Sequence, residues 1–199
     1  MFILGLTGSI GMGKSVTAGL FARCGIPVHD ADAAVHRLYA GEAASAIAAA
    51  FPGVVTDGVV DRAALGVAVL EDPAALARLE SIVHPLVHTS QSAFLAAAQA
   101  RGERTVVLDI PLLLETDAGR RVDAVVVVSA PLAVQRARVL ARPGMTDAKL
   151  DAILLKQMPD VEKRRRAHFV VDSSRGVDSA ERQVCGILRA VAGLPGRRN

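Results

Sequence analysis

Five short runs of apolar residues lie along the chain, and in each run the apolar positions are continuous rather than alternating with polar ones. The runs cover residues 2–7, 26–29, 105–110, 123–129 and 168–172. Continuous apolar runs are typical of strands in a parallel sheet whose two faces are covered by helices. Apolar residues at helical spacing fill the intervals between them. The pattern therefore predicts repeated strand–helix–strand units and an α/β fold, in a single domain over residues 1–199.

One interval is too long for a simple crossover between neighbouring strands. About 75 residues, rich in alanine and compatible with helix, separate the second run from the third. Turn-forming pairs punctuate this stretch at Pro52–Gly53, Asp57–Gly58 and Asp72–Pro73. Pro85 marks a point where a helix is expected to break or restart. We predict a helical insertion over residues 33–103, with room for the pocket of a second substrate.

A complete phosphate-binding pattern follows the first apolar run. Residues 8–15 read G-S-I-G-M-G-K-S and match G-x-x-x-x-G-K-[ST], and a helical pattern begins directly afterwards. A strand, a glycine loop and a helix in this order surround a polyphosphate with backbone N–H groups. Lys14 is placed to reach the β- and γ-phosphates, and the Ser15 hydroxyl to ligate Mg²⁺. The loop therefore predicts that the chain binds a nucleoside triphosphate.

Acidic side chains follow the second and third apolar runs. Asp30 and Asp32 come directly after the second run, and Asp109 lies near the end of the third. Ligands bind at the carboxyl ends of parallel strands, so these acids are expected at the edge that carries the phosphate loop. A carboxylate there can take the proton of an attacking hydroxyl or help to hold Mg²⁺. Asp32 is predicted to be catalytic, while Asp30 has an alternative role as a helix cap.

The leucines after Asp109 have two interpretations. Residues 110–115 read I-P-L-L-L-E. Because Pro111 ends the strand, Leu112 and Leu113 would offer an apolar wall to the part of a ligand that carries no phosphate. The alternative is that these leucines belong to the core.

Basic residues are concentrated in the last third of the chain. The net charge is −4 over residues 1–135 and +7 over residues 136–199. Arg136 and Arg142 lie on and just after a helical stretch, where they could close over the phosphates as part of a mobile lid at 142–166. The alternative is the polar face of an amphipathic helix.

Composition bears on the other functional classes. The chain has five Phe, one Tyr and no Trp, which leaves little material for stacking single-stranded nucleic acid. The basic run 163–166 is compatible with a lid, a nucleic-acid patch or a solvated helix end. His84 and His88 are four residues apart, but no third ligand with metal-site spacing accompanies them. No nucleic acid partner is expected.

The sequence also predicts where the protein is found. No apolar run of 18 residues is free of charge, so no membrane span is expected. Met1 leads directly into the first predicted strand, which leaves no room for a signal peptide. Cys24 and Cys185 are isolated in the sequence, as is typical of thiols in a reducing cytoplasm. A cytoplasmic protein is expected.

The motifs, taken in order, resemble those of the dephospho-CoA kinase family. They run from residue 4 to about residue 174. The phosphate loop alone is shared by a very large superfamily, whereas the series as a whole is far more specific. The matching segments are Leu6–Ser15, Asp30–Asp32 with Arg37, Ile82–Val87, Asp109–Glu115, Gln135–Arg136 with Arg142, Gln157–Pro159 and Asp172–Ser174.

The resemblance implies a three-layer P-loop kinase fold with a five-stranded parallel sheet, a CoA-side helical insertion and a lid. The implied reaction is ATP-dependent, Mg²⁺-assisted phosphorylation of the ribose 3′-hydroxyl of dephospho-CoA, the final step of coenzyme A biosynthesis. The small-molecule partners would be ATP and dephospho-CoA, and the protein a monomer or weak homo-oligomer.

Site residues follow from the same resemblance, position by position. The catalytic residues implied are Asp32, Lys14, Arg136 and Arg142. The ATP-binding residues are Gly8, Gly11, Met12, Gly13, Lys14, Ser15 and Val16. Acceptor binding falls to Asp30, Arg37, His84, Pro85, Leu112, Leu113 and Glu115. The metal ligands are Ser15, Asp32 and Asp109.

Three positions depart from the family pattern. Val16 stands where many members have Thr, which matters little for phosphate contacts made by the backbone. His88 stands where Arg is common and carries only a fractional charge at neutral pH. Asp172–Ser174 replaces a frequent D-N-S/G segment, which leaves the adenine contacts unassigned. A nucleoside-monophosphate-type kinase is the main alternative, and no N-K-x-D string supports a GTPase.

Overall fold

The computed structural model describes residues 1–70 and 72–196, so residues 71 and 197–199 of the domain predicted over 1–199 lie outside the described part. The chain divides into two compact units. Unit 1 comprises residues 1–29 and those from 98 onwards, and unit 2 comprises residues 30–97.

In chain order the elements are β1 (Phe2–Thr7), α1 (Lys14–Arg23), β2 (Val28–Asp30), α2 (Ala31–Tyr39), α3 (Ala44–Ala50), β3 (Val55–Thr56), β4 (Val59–Val60), α4 (Arg62–Leu70), α5 (Pro73–Ala100), β5 (Thr105–Asp109), a 3₁₀ helix (Asp117–Arg121), β6 (Ala124–Ser129), α6 (Leu132–Leu140), α7 (Asp147–Leu155), α8 (Asp160–Arg166), β7 (Phe169–Asp172) and α9 (Val177–Val191).

Unit 1 is built on a five-stranded sheet with the strand order β2-β5-β1-β6-β7. The central strand β1 pairs in parallel with β5 and β6, so that Leu4 lies opposite Val107 on one side and Ala124 on the other. β6 pairs in parallel with β7. Every residue of β1, β5 and β6 is buried, which explains why these strands read as continuous apolar runs. The expected five-stranded parallel sheet is confirmed.

Helices bury one face each against this sheet. α9 shows the clearest pattern, because its buried residues Ala180, Val184, Ile187 and Val191 are spaced by three or four positions. Leu20 and Phe21 of α1 join them in one hydrophobic core with the strands. This packing fixes the end of β1 and the start of α1, between which the phosphate loop lies.

Unit 2 has a hydrophobic core of its own. Its buried residues come from α2 to α5 and from a short hairpin, and they include Leu38, Ile47, Phe51, Val60 and Leu79. The hairpin pairs β3 with β4 in antiparallel register. Asp57 and Gly58 form its two-residue turn with φ angles of 51° and 77°, the conformation that Asp-Gly favours in a type I′ hairpin turn. The sequence pattern marked this pair as a turn but did not predict strands around it.

The expected helix break at Pro85 is wrong. A single helix, α5, runs through Pro85 from Pro73 to Ala100. Leu79 and Val83 are buried in the core of unit 2, and their burial keeps the helix intact across the proline. Ser81 and Pro85, which lack a hydrogen bond between them, are exposed, so the defect lies on the solvent side. His84, which precedes Pro85, therefore lies in the interior of α5.

None of the helices among the described residues is both long and apolar enough to cross a membrane.

Candidate active site

The phosphate loop connects the buried end of β1 to the start of α1. Gly11 and Gly13 have φ angles of 77° and 90°, in the left-handed region that favours glycine. A Cβ at Gly11 would lie 2.5 Å from Cγ2 of Val139 on α6, so a side chain there would also clash. Met12 N–H donates to the carbonyl of Ser9 within the loop (3.1 Å). The glycines thus allow a tight loop in close contact with α6.

Lys14 at the start of α1 forms an ion pair with Asp109 at the end of β5. The distance from Lys14 Nζ to Asp109 Oδ1 is 2.7 Å, and the Asp109 side chain is only 1% exposed. Because β1 and β5 are adjacent parallel strands, their carboxyl ends bring the lysine and the acid together. Ser15 and Val16 are exposed on the first turn of α1. The P-loop cation and the strand-end acid predicted from sequence are therefore in direct contact.

A pocket of about 300 Å³ lies beside the phosphate loop in unit 1. Its lining comes from the loop, from α1, from α6 and from the β7–α9 connection, and comprises Gly11, Gly13, Val16, Thr17, Arg138, Arg142, Ser173, Gly176, Val177 and Ala180. The pocket includes loop residues predicted to bind ATP and one predicted lid arginine.

Arg138 and Ser173 tie the walls of this pocket together. Arg138 donates from Nη1 to Ser173 Oγ and from Nη2 to the Ser173 carbonyl, both at 2.8 Å. Ser173 Oγ in turn donates to the carbonyl of Met12 in the phosphate loop (2.7 Å). Ser173 lies in the Asp172–Ser174 segment that matches the family motifs, whereas Arg138 was not singled out from the sequence. Arg138 lies on α6 and Arg142 two residues after its end, and the spacing of four positions between these arginines was the available signal.

Arg136, predicted to be a catalytic lid arginine, is held by carboxylates of α7. Its Nη1 donates to Asp151 Oδ1 (2.7 Å), and Nη2 pairs with Asp147. The hydrogen bonds to Asp151 and Asp147 raise the pKa of Arg136 above its ordinary value. Arg142 is exposed on the connection between α6 and α7. The region predicted as a lid at 142–166 thus contains α7 and α8, and α7 is linked to α6 through Arg136.

Glu115, predicted to bind the acceptor, contacts a buried lysine. Lys163 on α8 is 0% exposed, and its Nζ lies 2.8 Å from Glu115 Oε1. The same oxygen accepts a hydrogen bond from Met158 N–H (3.0 Å). Arg164–Arg166 are exposed, and Arg166 pairs with Glu162 one turn earlier (2.9 Å). The basic run is therefore divided into one buried cation and a solvated helix end.

The two predicted leucines of the β5 connection have different surroundings. Leu112 is 42% exposed, whereas Leu113 is 0% exposed. A Cβ on Gly5 of β1 would lie 2.6 Å from the Leu113 side chain, so Leu113 packs tightly on the central strand. Leu112 can therefore form part of an apolar wall for a ligand, whereas Leu113 belongs to the core.

The remaining predicted acceptor residues lie in unit 2, on two helices. Asp30 is the N-cap of α2, because its Oδ1 accepts a hydrogen bond from Ala33 N–H (2.9 Å). Asp32 and Arg37 are exposed on the same helix. His84 and Pro85 are exposed on α5, with His88 one turn further. Asp30 therefore has the capping role that the sequence left open.

The oxygen donors in unit 1 are of the kind that Mg²⁺ prefers. Within the described ranges, no three His, Cys, Asp or Glu side chains form a metal-binding group. A magnesium ion that is bound with nucleotide phosphates needs only one or two protein ligands. The buried Asp109 carboxylate already holds a cation, the Lys14 ammonium, and the Ser15 hydroxyl is the adjacent donor. These residues fit a nucleotide-bound Mg²⁺.

Solved structures share this architecture. A crystal structure of a Thermus thermophilus protein matches with a TM-score of 0.84 and 35% identity over 98% of each chain. Dephospho-CoA kinase from Campylobacter jejuni matches with a TM-score of 0.66 and 19% identity, over 95% of this chain and 96% of that one. Shikimate kinase from Bacteroides thetaiotaomicron matches in fold with a TM-score of 0.56 and 16% identity, over 96% of this chain and 98% of its own. These proteins share the α/β fold of this chain, in which a complete phosphate loop follows the central strand.

Sequence comparison defines the family more narrowly. The family model for dephospho-CoA kinase matches residues 2–179. A dephospho-CoA kinase of Mesorhizobium japonicum is 60% identical over 98% of this chain and 100% of the relative. The Brucella abortus protein of that name is 55% identical, with 98% of each chain covered. The chain belongs to the dephospho-CoA kinase family, and the resemblance seen in its motifs is confirmed.

Proposed function

We propose that this protein transfers the γ-phosphoryl group of ATP to the ribose 3′-hydroxyl of dephospho-CoA, giving CoA and ADP. The activity is that of the family to which the chain belongs. The observation that carries the assignment of the donor site is the Lys14–Asp109 ion pair at the mouth of a complete phosphate loop. A lysine and a strand-end acid at this place are the charged groups that phosphoryl transfer requires.

The donor nucleotide binds in unit 1. Its phosphates lie in the loop formed by Gly8, Gly11, Met12 and Gly13, at the N-terminus of α1, where backbone N–H groups and the helix dipole favour anions. Its base enters the 300 Å³ pocket between Arg142 and the β7–α9 connection. The guanidinium of Arg142 can stack on a base. Arg138 and Ser173 hold the pocket walls, which gives the adenine side the contacts that its sequence left unassigned.

Lys14 changes partner when nucleotide binds. In the absence of phosphates it neutralises Asp109, and with ATP bound its ammonium turns to the β- and γ-phosphates. Asp109 and Ser15 would hold Mg²⁺ in unit 1. When bound, Mg²⁺ neutralises negative charge on the phosphates. The ion pair thus holds the Asp109 carboxylate in a position from which it can bind another cation.

Most of the residues that we assign to acceptor binding belong to unit 2. Asp32 acts as the base that orients or deprotonates the attacking hydroxyl, while Asp30 holds the first turn of α2 through its cap. Arg37, His84 and Pro85 are exposed and available to the acceptor. Leu112 supplies an apolar contact. Glu115 acts on the acceptor side through Lys163 and Met158 rather than through direct contact.

The lid at 142–166 closes over the phosphates. Arg142 lines the nucleotide pocket. Arg136 leaves the carboxylates of Asp147 and Asp151 and pairs with the phosphoryl group that is transferred. Both carboxylates are on α7, so the exchange is coupled to movement of that helix. Cationic side chains that close over a transferring phosphoryl group stabilise the charge of the transition state.

The protein acts in the cytoplasm as a monomer or weak homo-oligomer, with small molecules rather than nucleic acid or membrane as its partners. Both cysteines are free thiols, as expected in a reducing compartment. One chain supplies the phosphate loop, Lys14, Asp109 and the nucleotide pocket. The solvated arginines of α8 are partly neutralised by Glu162, which disfavours a phosphate-binding patch on that helix.

The deciding experiment measures ADP release from ATP with dephospho-CoA, AMP, adenosine or shikimate as the acceptor. We expect dephospho-CoA to give the highest kcat/KM by a wide margin. The CoA product should carry the new phosphate at the 3′ position in the phosphorus NMR spectrum. Preference for AMP or shikimate would assign the chain to another class of small-molecule kinase.

A further inference from the structure

The backbone N–H and the backbone carbonyl of one phosphate-loop residue, Ile10, are both held by side-chain amides. Ile10 N–H donates to Gln157 Oε1 (3.1 Å). The carbonyl of the same residue accepts from Gln135 Nε2 (2.7 Å). Ile10 lies between Ser9 and Gly11, in the variable part of the loop, whose own sequence carries no signal for these contacts. Two glutamines distant in sequence thus fix the two peptide planes on either side of the Ile10 Cα atom.

We refer to Gln135 and Gln157, with their hydrogen bonds to Ile10, as the clamp. The backbone of Ile10 determines which group each glutamine must present. A peptide N–H can only donate a hydrogen bond and a peptide carbonyl can only accept one. Gln157 must therefore present its oxygen to Ile10, and Gln135 must present its NH₂ group. The two glutamines have opposite roles, although they are the same residue type.

Both glutamines are firmly anchored by their surroundings. Gln135 on α6 is 3% exposed. Gln157 precedes Met158, whose N–H donates to Glu115 Oε1 (3.0 Å). Asp160, two residues further, accepts a hydrogen bond from Ser129 Oγ at the end of β6 (2.7 Å). The segment around Gln157 is consequently tied to the connection after β5 and to the carboxyl end of β6.

The clamp also joins the phosphate loop to α6, which precedes the predicted lid, and to the α7–α8 connection within that lid. Gln135 lies on α6, which leads into the lid, and Gln157 lies between α7 and α8. α7 is the element between them, and it carries the carboxylates that hold Arg136. A change in the position of α7 is therefore transmitted to Ile10 from both sides.

We propose that Gln135 and Gln157 are positioning residues for phosphoryl transfer: they hold the Ile10 peptide so that the phosphate loop keeps the shape that receives the triphosphate. Neither side chain contacts the phosphates in this role. The proposal rests on the kinase function proposed above. It explains why glutamine occurs at both places, since one contact needs an acceptor and the other a donor.

The test uses the opposite polarity of the two contacts. Gln157→Glu keeps an oxygen that accepts from Ile10 N–H, whereas Gln135→Glu, ionised at neutral pH, has no hydrogen to donate. Both variants add one negative charge next to the backbone of the same residue, Ile10. We expect Gln135→Glu to lower kcat about 10- to 100-fold, and Gln157→Glu to stay within about threefold of the unmodified protein. Gln157→Leu, which cannot accept, should resemble Gln135→Glu.

Ligand binding separates positioning from a general loss of structure. We expect Gln135→Glu and Gln157→Leu to raise the Kd of ATP about tenfold or more while the Kd of adenosine changes little, because only ATP places phosphates in the loop. Gln99→Glu, on the exposed end of α5, is the charge control and should match the unmodified protein. A purely structural role would weaken both ligands together with the melting temperature.

Equal activity losses in the two glutamine-to-glutamate variants would overturn the proposal, because charge alone would then explain them. Unchanged ATP affinity and turnover in Gln135→Glu would do the same. If Gln135→Glu does not fold, the comparison of Gln157→Glu with Gln157→Leu decides the question at a half-buried position. The ATP and adenosine measurements need no acceptor, so they remain decisive even if dephospho-CoA proves not to be the substrate.

Discussion

Lys14 and Asp109 form a 2.7 Å ion pair between the phosphate loop and the strand beside it, with the acid almost completely buried. The pair joins a residue that the loop motif requires to one that lies 95 positions away in the sequence. A buried carboxylate that loses its partner is costly, so the lysine is held in place until another cation can replace it. The pair therefore fixes the start of α1 against the end of β5.

Asp109→Asn removes the negative charge of the side chain and keeps its size and shape. We expect kcat to fall about 100-fold or more, and the Mg²⁺ concentration needed for half-maximal activity to rise, because the amide is a poor ligand for Mg²⁺. Steady-state kinetics over a Mg²⁺ titration measure both effects. Asp57→Asn is the matched control, since that residue is exposed in the hairpin turn of unit 2. Activity of Asp109→Asn close to that of the control would remove Asp109 from the metal side.

The two acids around the start of α2 should respond differently to the same substitution. Asp32→Asn removes the proposed base, so kcat should fall about 100- to 10,000-fold with little change in the Kd of ATP. Asp30→Asn keeps an oxygen that caps α2, and asparagine is as good a cap as aspartate, so stability should stay within about 0.5 kcal/mol. Turnover measurements and isothermal calorimetry distinguish the two. An active Asp32→Asn variant would show that another group takes the proton.

The buried Lys163–Glu115 pair should behave as a unit in a double-mutant cycle. Lys163→Met leaves the Glu115 carboxylate without its cation, and we expect a loss of about 3 kcal/mol in the free energy of unfolding. Adding Glu115→Gln to Lys163→Met should recover a large part of that loss, because no unpaired charge then remains. Urea unfolding of the two single variants and the double variant gives the coupling energy. Additive losses would mean that the 2.8 Å contact carries little of the stability of α8.

Asp172 predicts a pH dependence of stability. Hydrogen bonds from the Ser174 hydroxyl and backbone N–H lower the pKa of this carboxyl, with smaller help from Arg175 and Arg164. A lowered pKa stabilises the folded state above the ordinary pKa of an aspartate, and that stability is lost as pH falls through the native pKa. Ser174→Ala should therefore lower the melting temperature on the order of 2 °C at pH 6, since water screens this partly exposed group. The difference from the unmodified protein should shrink towards pH 2.

A melting-temperature difference that stays constant from pH 6 to pH 2 would contradict this account of Asp172. It would show that Ser174 acts through packing rather than through the charge of the carboxylate.

Local patterns were sufficient where chemistry and structure coincide in a short segment. The phosphate loop was predictable because glycines, lysine and serine have fixed spacing, and the strands because burial on both faces makes them continuously apolar. Pro85 was misread because the burial of Leu79 and Val83 outweighs the local preference of proline for a helix end. The hairpin at Asp57–Gly58 was missed because its strands have only two residues each.

Contacts between residues far apart in the sequence could not be predicted from local sequence patterns. Lys163 looked like one cation among four in a row, and only the position of Glu115 relative to α8 shows that it is buried. Arg138 and Ser173 meet across 35 positions of sequence, with no motif linking them. Gln135 and Gln157 occur in the motif segments, but nothing in the sequence indicates that their partner is the backbone of Ile10.

The presence of a separate hydrophobic core in unit 2 has an evolutionary consequence. Side chains that fill the core of unit 2 do not belong to the core behind the phosphate loop, so substitutions in one can accumulate without loosening the other. Selection can therefore remodel the surface that meets the acceptor, or replace the whole insertion, while the machinery that holds the triphosphate is inherited intact. Kinases for very different alcohols can descend from one ancestral loop in this way.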